Sequence, residues 1–214
     1  MIPTELTFTC LGAEAEPYAA APTLKLRLQI DEMSGDDIHA IMLRCQVRIE
    51  AQRRRYSDTE AARLRELFGE TDRWGETLKP LHFTIVSLMV PSFRGSGTVD
   101  VMVPCTYDFD VIAAKYLHAL DEGEIPLLLM FSGTIFRKGE SGFTVEQVPW
   151  HKETSCKVPV PVWRAMMDHY FPNSGWIRIR RDTLDALQRF KVDRAMTNWD
   201  QALDALLAEA EHTP

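Results

Sequence analysis

The 214-residue sequence contains only four cysteines, Cys10, Cys45, Cys105 and Cys156, with no CxxC pair and no close Cys/His spacing. That scatter argues against a zinc finger or ribbon. Long apolar runs are also missing: the longest, 125–131, falls far short of the roughly 20 residues that span a bilayer. Residues 1–5 lack the basic-then-apolar order of a signal peptide. Positive charge is in deficit, with 24 Lys and Arg against 31 Asp and Glu and a net charge of −7. The dominant basic field that draws a protein to nucleic acid or an anionic membrane is therefore absent. The expectations are no nucleic-acid partner, no membrane insertion and a cytoplasmic location. Cys10, Cys45 and Cys105 fall in phase with apolar neighbours on strand-like runs, so buried thiols are expected in preference to disulfides.

What is present is a globular composition, 45% hydrophobic and 26% charged, in a chain long enough to bury one core without staples. The hydrophobic period is two over Leu24, Leu26, Leu28 and Ile30, and again over Ile41, Leu43, Cys45, Val47 and Ile49. Both runs read as strands with one buried face, and as an antiparallel pair. Leu6, Phe8 and Cys10 give an earlier strand, from which residues 12–22 are expected to cross between sheets. Ser57 and Glu60 have capping-box spacing ahead of a short helix ended by Gly69. Strands resume over 81–89 and 98–105. Asp108 is placed to cap a helix carrying Phe109, Ile112, Tyr116 and Leu120. The run 125–136 is apolar on both faces, as in a central strand, and 142–148 returns beside it through a Gly-containing turn at 138–142.

From Pro161 the period becomes helical: Val162, Met166 and Tyr170 form one stripe, Leu184, Leu187 and Phe190 a second, and Trp199, Leu203 and Leu206 a third, with Thr197 at capping distance from Asp200. The fold class read from this pattern is α+β: an antiparallel β-sandwich, immunoglobulin-like or related, with inserted short helices and a C-terminal helical segment. The chain is expected to be a single domain, 1–214, with the sandwich over 1–160 and helices 161–214 packed on it.

No cluster supplies a catalytic trio. Arg53, Arg54, Arg55 and Tyr56 form the densest positive run, able to hold a phosphate, a carboxylate or an acidic surface, against the plainer reading of a solvated connection. Trp150, His151, Lys152 and Glu153 put an aromatic, an imidazole and opposite charges on a loop, but no neighbouring nucleophile or orienting carboxylate makes His151 a base. An interface anchor is preferred there, together with Trp176. Cys105 precedes a helix start where a thiolate gains stability, yet its phase with Val101 and Val103 favours a buried thiol. The histidines show no ligand spacing, and the Gly-rich turns lack a phosphate-binding context. No catalytic residue, metal site or cofactor is assigned.

Over nearly its whole length the sequence resembles an uncharacterised bacterial domain family of this size. The resemblance is carried by stretches 16–24, 43–50, 103–108, 145–153 and 171–176, which include Pro17-Tyr18, Cys45, Cys105, Trp150-His151-Lys152-Glu153 and Phe171-Pro172-Asn173-Ser174-Gly175-Trp176. The family's function is unknown, and its genes often lie near those of nickel-iron hydrogenases. The resemblance therefore implies an accessory role in hydrogenase assembly or maturation, with a hydrogenase subunit or precursor as protein partner. A metal carrier would be expected to cluster Cys or His ligands, so a non-catalytic binding role is the leading expectation. The alternative is a small-molecule-binding module or enzyme acting on an anionic ligand through the Arg53–Tyr56 run.

Overall fold

The alternation of Leu24, Leu26, Leu28 and Ile30 becomes strand β2 (Thr23–Glu32), flanked by β1 (Leu6–Ala15) and β6 (Ser96–Pro104) in a three-stranded antiparallel sheet. The computed structural model describes residues 5–106, 108, 111–139 and 142–212. The second sheet runs β4 (Leu81–Val90), β3 (Asp37–Ile49), β7 (Glu124–Gly139), β8 (Gly142–Gln147). In it β9 (Glu153–Pro159) also pairs with β7, and the two-residue β5 (Phe93–Arg94) pairs with β3. All these pairings are antiparallel, and with the helices they make an α+β sandwich.

Two expectations of connectivity are corrected. The runs 24–30 and 41–49 do not pair: β2 lies in one sheet and β3 in the other. Residues 12–22 do not cross between sheets either, because β1 and β2, which they join, are direct neighbours. A period of two states which face of a strand is buried and says nothing of its neighbour.

The inward rows of the two sheets meet in one core. Leu24, Leu26, Leu28, Ile30, Val101 and Val103 belong to one wall, and Ile41, Leu43, Val47, Leu127, Leu129 and Ile135 to the other, all buried. Phe8 and Phe131 stack across the gap with ring centroids 4.1 Å apart. Gly133 permits a close backbone approach: its φ is +149°, and a β-carbon there would sit 2.1 Å from the Met42 carbonyl oxygen on β3. An ion cluster closes one end of the core. The buried Glu32 carboxylate of β2 accepts from Arg137 Nη2 of β7 at 2.9 Å, from the Gly35 amide at 2.8 Å and from the Ser34 hydroxyl. Arg137 also meets Asp36 at 3.4 Å and Glu146 at 3.7 Å.

The cysteines divide. Cys45 and Cys105 are buried free thiols, and burial pushes both up to about 12. Cys10 and Cys156 form a disulfide between β1 and β9, with Cα atoms 5.5 Å apart, a correction to the expectation of thiols throughout. The link joins the two sheets. Cys10 shares the buried row of β1, but its partner lies on a strand with weak alternation, which the sequence pattern did not mark.

Helix α1 (Asp58–Phe68) starts with the expected capping box: the Ser57 hydroxyl accepts from the Glu60 amide, and the Glu60 carboxylate from the Ser57 amide. A four-residue helix α2 (Trp74–Thr77) follows. Helix α3 (Ile112–His118) begins after Val111 with no side-chain cap. The Asp108 cap is thereby corrected: the Asp108 amide donates to Thr106 Oγ1, its carbonyl accepts from Val111, and the residue bridges to Trp176. Phe109, part of the expected stripe, lies outside the described residues, as do positions 140–141 of the turn before β8. Helix α4 (Val160–Tyr170), with Pro161 in its first turn, buries Trp163, Met166 and Met167, and Tyr170 donates to the Ala19 carbonyl at 2.6 Å.

The chain divides into two compact units, Met1–Trp176 and Ile177–Pro214. The second is a helical hairpin of α5 (Arg181–Asp193) and α6 (Trp199–Glu211). It is held by an Arg194–Glu209 ion pair and by Lys191 over the Trp199 ring at 5.5 Å. Asn198, one residue beyond the expected Thr197, caps α6 by accepting from the Gln201 amide at 2.9 Å.

Candidate functional site

The Arg53–Tyr56 run leaves β3 through a single 3-10 turn, Ala51–Arg53, and enters α1. Its side chains alternate in role. Arg54 turns inward: Nη2 reaches Glu60 Oε1 at 2.7 Å and the Glu122 carbonyl at 3.2 Å, while Nη1 reaches the Glu124 carbonyl at 3.3 Å. Its guanidinium lies 4.9 Å from the Tyr56 ring centroid. Tyr56 donates to the Ala51 carbonyl at 2.6 Å and its oxygen lies 2.8 Å from that of Tyr116. Burial pushes the Tyr56 phenol up to about 12 and raises Tyr116 as well, so both stay protonated at neutral pH. Burial alone would raise Glu60, but the Asp121 and Ser57 amides and Arg54 outweigh it and hold the carboxyl below its ordinary range. Glu60 thus ties together the helix start, Arg54 and the chain entering β7.

Arg53 and Arg55 point the other way and are exposed. They border a pocket of about 240 Å³ whose wall also includes Arg54, Glu124, Pro126 and Lys157. Lys157 comes from β9, where it stands opposite Pro126 of β7, and it pairs with Glu124 at 2.8 Å. Arg53 meets the buried Glu50 at 3.4 Å. Sequence reading found the arginines and missed Lys157, a single cation that only the β7–β9 pairing carries to the pocket.

The other named residues lie apart from this pocket in the chain. Trp150 stands on the turn between β8 and β9 and is 90% exposed, its ring 5.9 Å from that of His151. Lys152 closes this turn by donating its amide to the Pro149 carbonyl, and its own carbonyl accepts from Phe131. Glu153 opens β9 opposite Met130. Beside the turn, β8 pairs only with β7 among the described strands, and it presents Phe143 and Val145, 60% and 57% exposed. Trp176 ends the first unit, 66% exposed and edge-on to Phe171 at 5.7 Å. Among the described residues no group of three or more His, Cys, Asp or Glu is placed to hold a metal ion. No helix among them is long and apolar enough to cross a membrane.

A family model matches residues 3–214. The chain belongs to DUF6084, a family of unknown function. No curated protein matches this DUF6084 chain significantly. Solved structures similar to it include a candidate late embryogenesis abundant protein at 15% identity and TM-score 0.35, covering 77% of this chain and 76% of that one. A β-glucosidase from Kluyveromyces marxianus is similar at 10% identity and TM-score 0.27, over 73% of this chain and 15% of that one. The major subunit of aggregative adherence fimbriae type I from Escherichia coli is similar at 11% identity and TM-score 0.25, over 73% and 93%.

Proposed function

We propose that this DUF6084 protein is a non-catalytic, bacterial accessory protein of the cytoplasm. In this reading it binds a subunit or precursor of a nickel-iron hydrogenase during assembly or maturation. The observation that carries the binding role is β8. Among the described strands it is an edge strand, with Phe143 and Val145 on one exposed face and Trp150 on the turn that follows. A strand with one free row of N–H and C=O groups is a template for an added strand, and exposed apolar side chains at alternate positions supply selectivity. An exposed tryptophan beside such an edge is the residue type most enriched among interface hot spots. The hydrogenase partner rests on the family resemblance. A cytoplasmic location requires the Cys10–Cys156 pair to survive a reducing environment, and the burial of Cys156 protects one of its sulfurs.

The test is affinity purification of the tagged protein from its own hydrogenase-expressing host, with mass spectrometry and a metal assay on the eluate. It is run beside a triple variant, Phe143→Glu, Val145→Lys and Trp150→Ala. Each of these exposed substitutions should change stability by only about 0.5 kcal/mol, and urea unfolding of the variant checks that the fold is kept. Near-stoichiometric hydrogenase subunits with the wild-type chain, missing with the variant, are the expected result. Absence of those subunits, or their equal recovery with the variant, overturns the proposal.

A further inference from the structure

We propose that the pocket bordered by Arg53, Arg55 and Lys157 binds a small polyanion, a phosphate ester or polycarboxylate. It lies at the opposite end of β7 from β8: the pocket uses Glu124 and Pro126, whereas β8 pairs with residues 134–139. Partner binding and anion binding are therefore separate claims.

The charge distribution is the first argument. The chain carries a net charge of −7, yet four cations converge on one concavity whose wall contains one carboxylate, Glu124. Cations gathered in a cleft with low-dielectric walls focus the field toward its mouth. The negative groups that offset Arg53 and Arg54, namely Glu50 and Glu60, are buried behind the run and do not face the opening.

Rigidity is the second. A charge run on a solvated loop has no fixed spacing, whereas here Arg54 and Tyr56 pin the backbone on both sides of Arg55. The Arg54 guanidinium donates to the Glu60 carboxylate and to the Glu122 and Glu124 carbonyls, and Tyr56 is tied to Ala51 and Tyr116. Arg54 is therefore a positioning residue, and Arg53, Arg55 and Lys157 are the ligand-facing groups. Two guanidinium forks match the planar oxygen pairs of a carboxylate or phosphate, and the lysine adds a point charge. Lys157 is already drawn toward an anionic group, the Glu124 carboxylate, in an exposed ion pair of a kind that is readily exchanged.

Size is the third. About 240 Å³ lies below the span of roughly 300–1,000 Å³ usual for drug-sized ligands, so the pocket suits a compact anion.

The experiment is thermal unfolding of the full chain titrated with pyrophosphate and, separately, with citrate, each against sodium chloride at matched ionic strength. A saturable rise in Tm with at least one probe is expected. Pyrophosphate alone assigns phosphate chemistry, and citrate alone carboxylate chemistry. The exposed substitutions Arg55→Gln and Lys157→Gln should leave the unliganded Tm in place, and each should weaken binding about tenfold or more by removing a charge-assisted hydrogen bond. Glu124→Gln should tighten binding, because it removes the rim carboxylate and frees Lys157. The Glu124 variant tests the site by a gain of affinity, which loss of folding cannot mimic. A Tm rise no larger than chloride gives, a rise undiminished in the Arg55/Lys157 double variant, or no tightening with Glu124→Gln overturns the proposal. None of these results depends on hydrogenase binding.

Discussion

Replacing Arg137 with Met removes the guanidinium from the ion cluster and keeps most of the aliphatic stem. Glu32 then stays buried with only Ser34 and Gly35 for partners. Breaking a buried ion pair from one side costs about 3–5 kcal/mol, chiefly through the charge left behind. Asp36 adds little because it is largely exposed. At about 2–4 °C per kcal/mol for a domain of this size, Tm should fall by about 6–20 °C. The loss should also depend on pH. Burial alone would raise the Glu32 carboxyl, but Ser34, Arg137 and Gly35 outweigh it and hold the carboxyl below its ordinary value of 4.5. A group with a depressed folded pKa contributes stability that is present above its unfolded pKa and declines as pH falls through the folded one. Without Arg137 one of the groups that lower the carboxyl is gone, and Glu32 takes up a proton at higher pH than in the wild type. The gap between wild type and Arg137→Met should therefore narrow as pH falls toward and below 4.5. Urea unfolding followed by tryptophan fluorescence, in which the buried Trp163 reports on the first unit, measures both effects. Glu32→Gln added to Arg137→Met should recover part of the loss. A cost under about 1 kcal/mol at neutral pH, or one that does not change with pH, would refute the reasoning.

Three further outcomes are expected. Without reductant, the denatured chain should react with alkylating reagent at Cys45 and Cys105 alone, and at all four cysteines after reduction; Cys156→Ser should cost about 2–5 kcal/mol in urea unfolding. Gly133→Ala should fail to give soluble folded protein or lower Tm sharply, since its β-carbon meets the Met42 carbonyl at 2.1 Å, whereas Gly75→Ala, in α2 with open space around it and no positive φ, should be mild. His118, lowered to about 4 first by burial and then by Arg164, should titrate by NMR well below a free histidine; stability tied to it is present above about pH 6.5 and declines as pH falls toward 4, and His118→Gln should flatten that limb.

The strands with clean alternation were legible from sequence because each buries one face: β2, β3 and β6 follow from their own residues. Strand β9 was not, since Ser155, Cys156, Lys157 and Val158 alternate over too few positions to stand out from a loop. That one missed strand accounts for the two largest omissions, the disulfide partner of Cys10 and the cation that completes the Arg53–Arg55 pocket. The α1 capping box was readable because a cap is a local motif, complete within four residues. The Asp108 cap failed for a related reason: an Asp before an apolar stripe satisfies the rule, but α3 starts further along, at Ile112, with Val111 at its N-cap and no side-chain cap. Within the candidate site, sequence marked Arg53 to Tyr56 as one basic run. The fold divides it into inward and outward halves, because Glu60 and the carbonyls before β7 claim Arg54.

The disulfide between β1 and β9 spans a sequence separation of 146. It turns residues 10–156 into a covalent ring, with α4 and the α5–α6 hairpin following it in the chain as a tail. A protease that cuts any single bond between Cys10 and Cys156 opens the ring but releases no fragment until a reductant is added. A cut between Trp176 and Arg181 severs the hairpin at once. Two bands on a non-reducing gel therefore report a cut in the tail, and a band that splits only on reduction reports a cut in the sandwich.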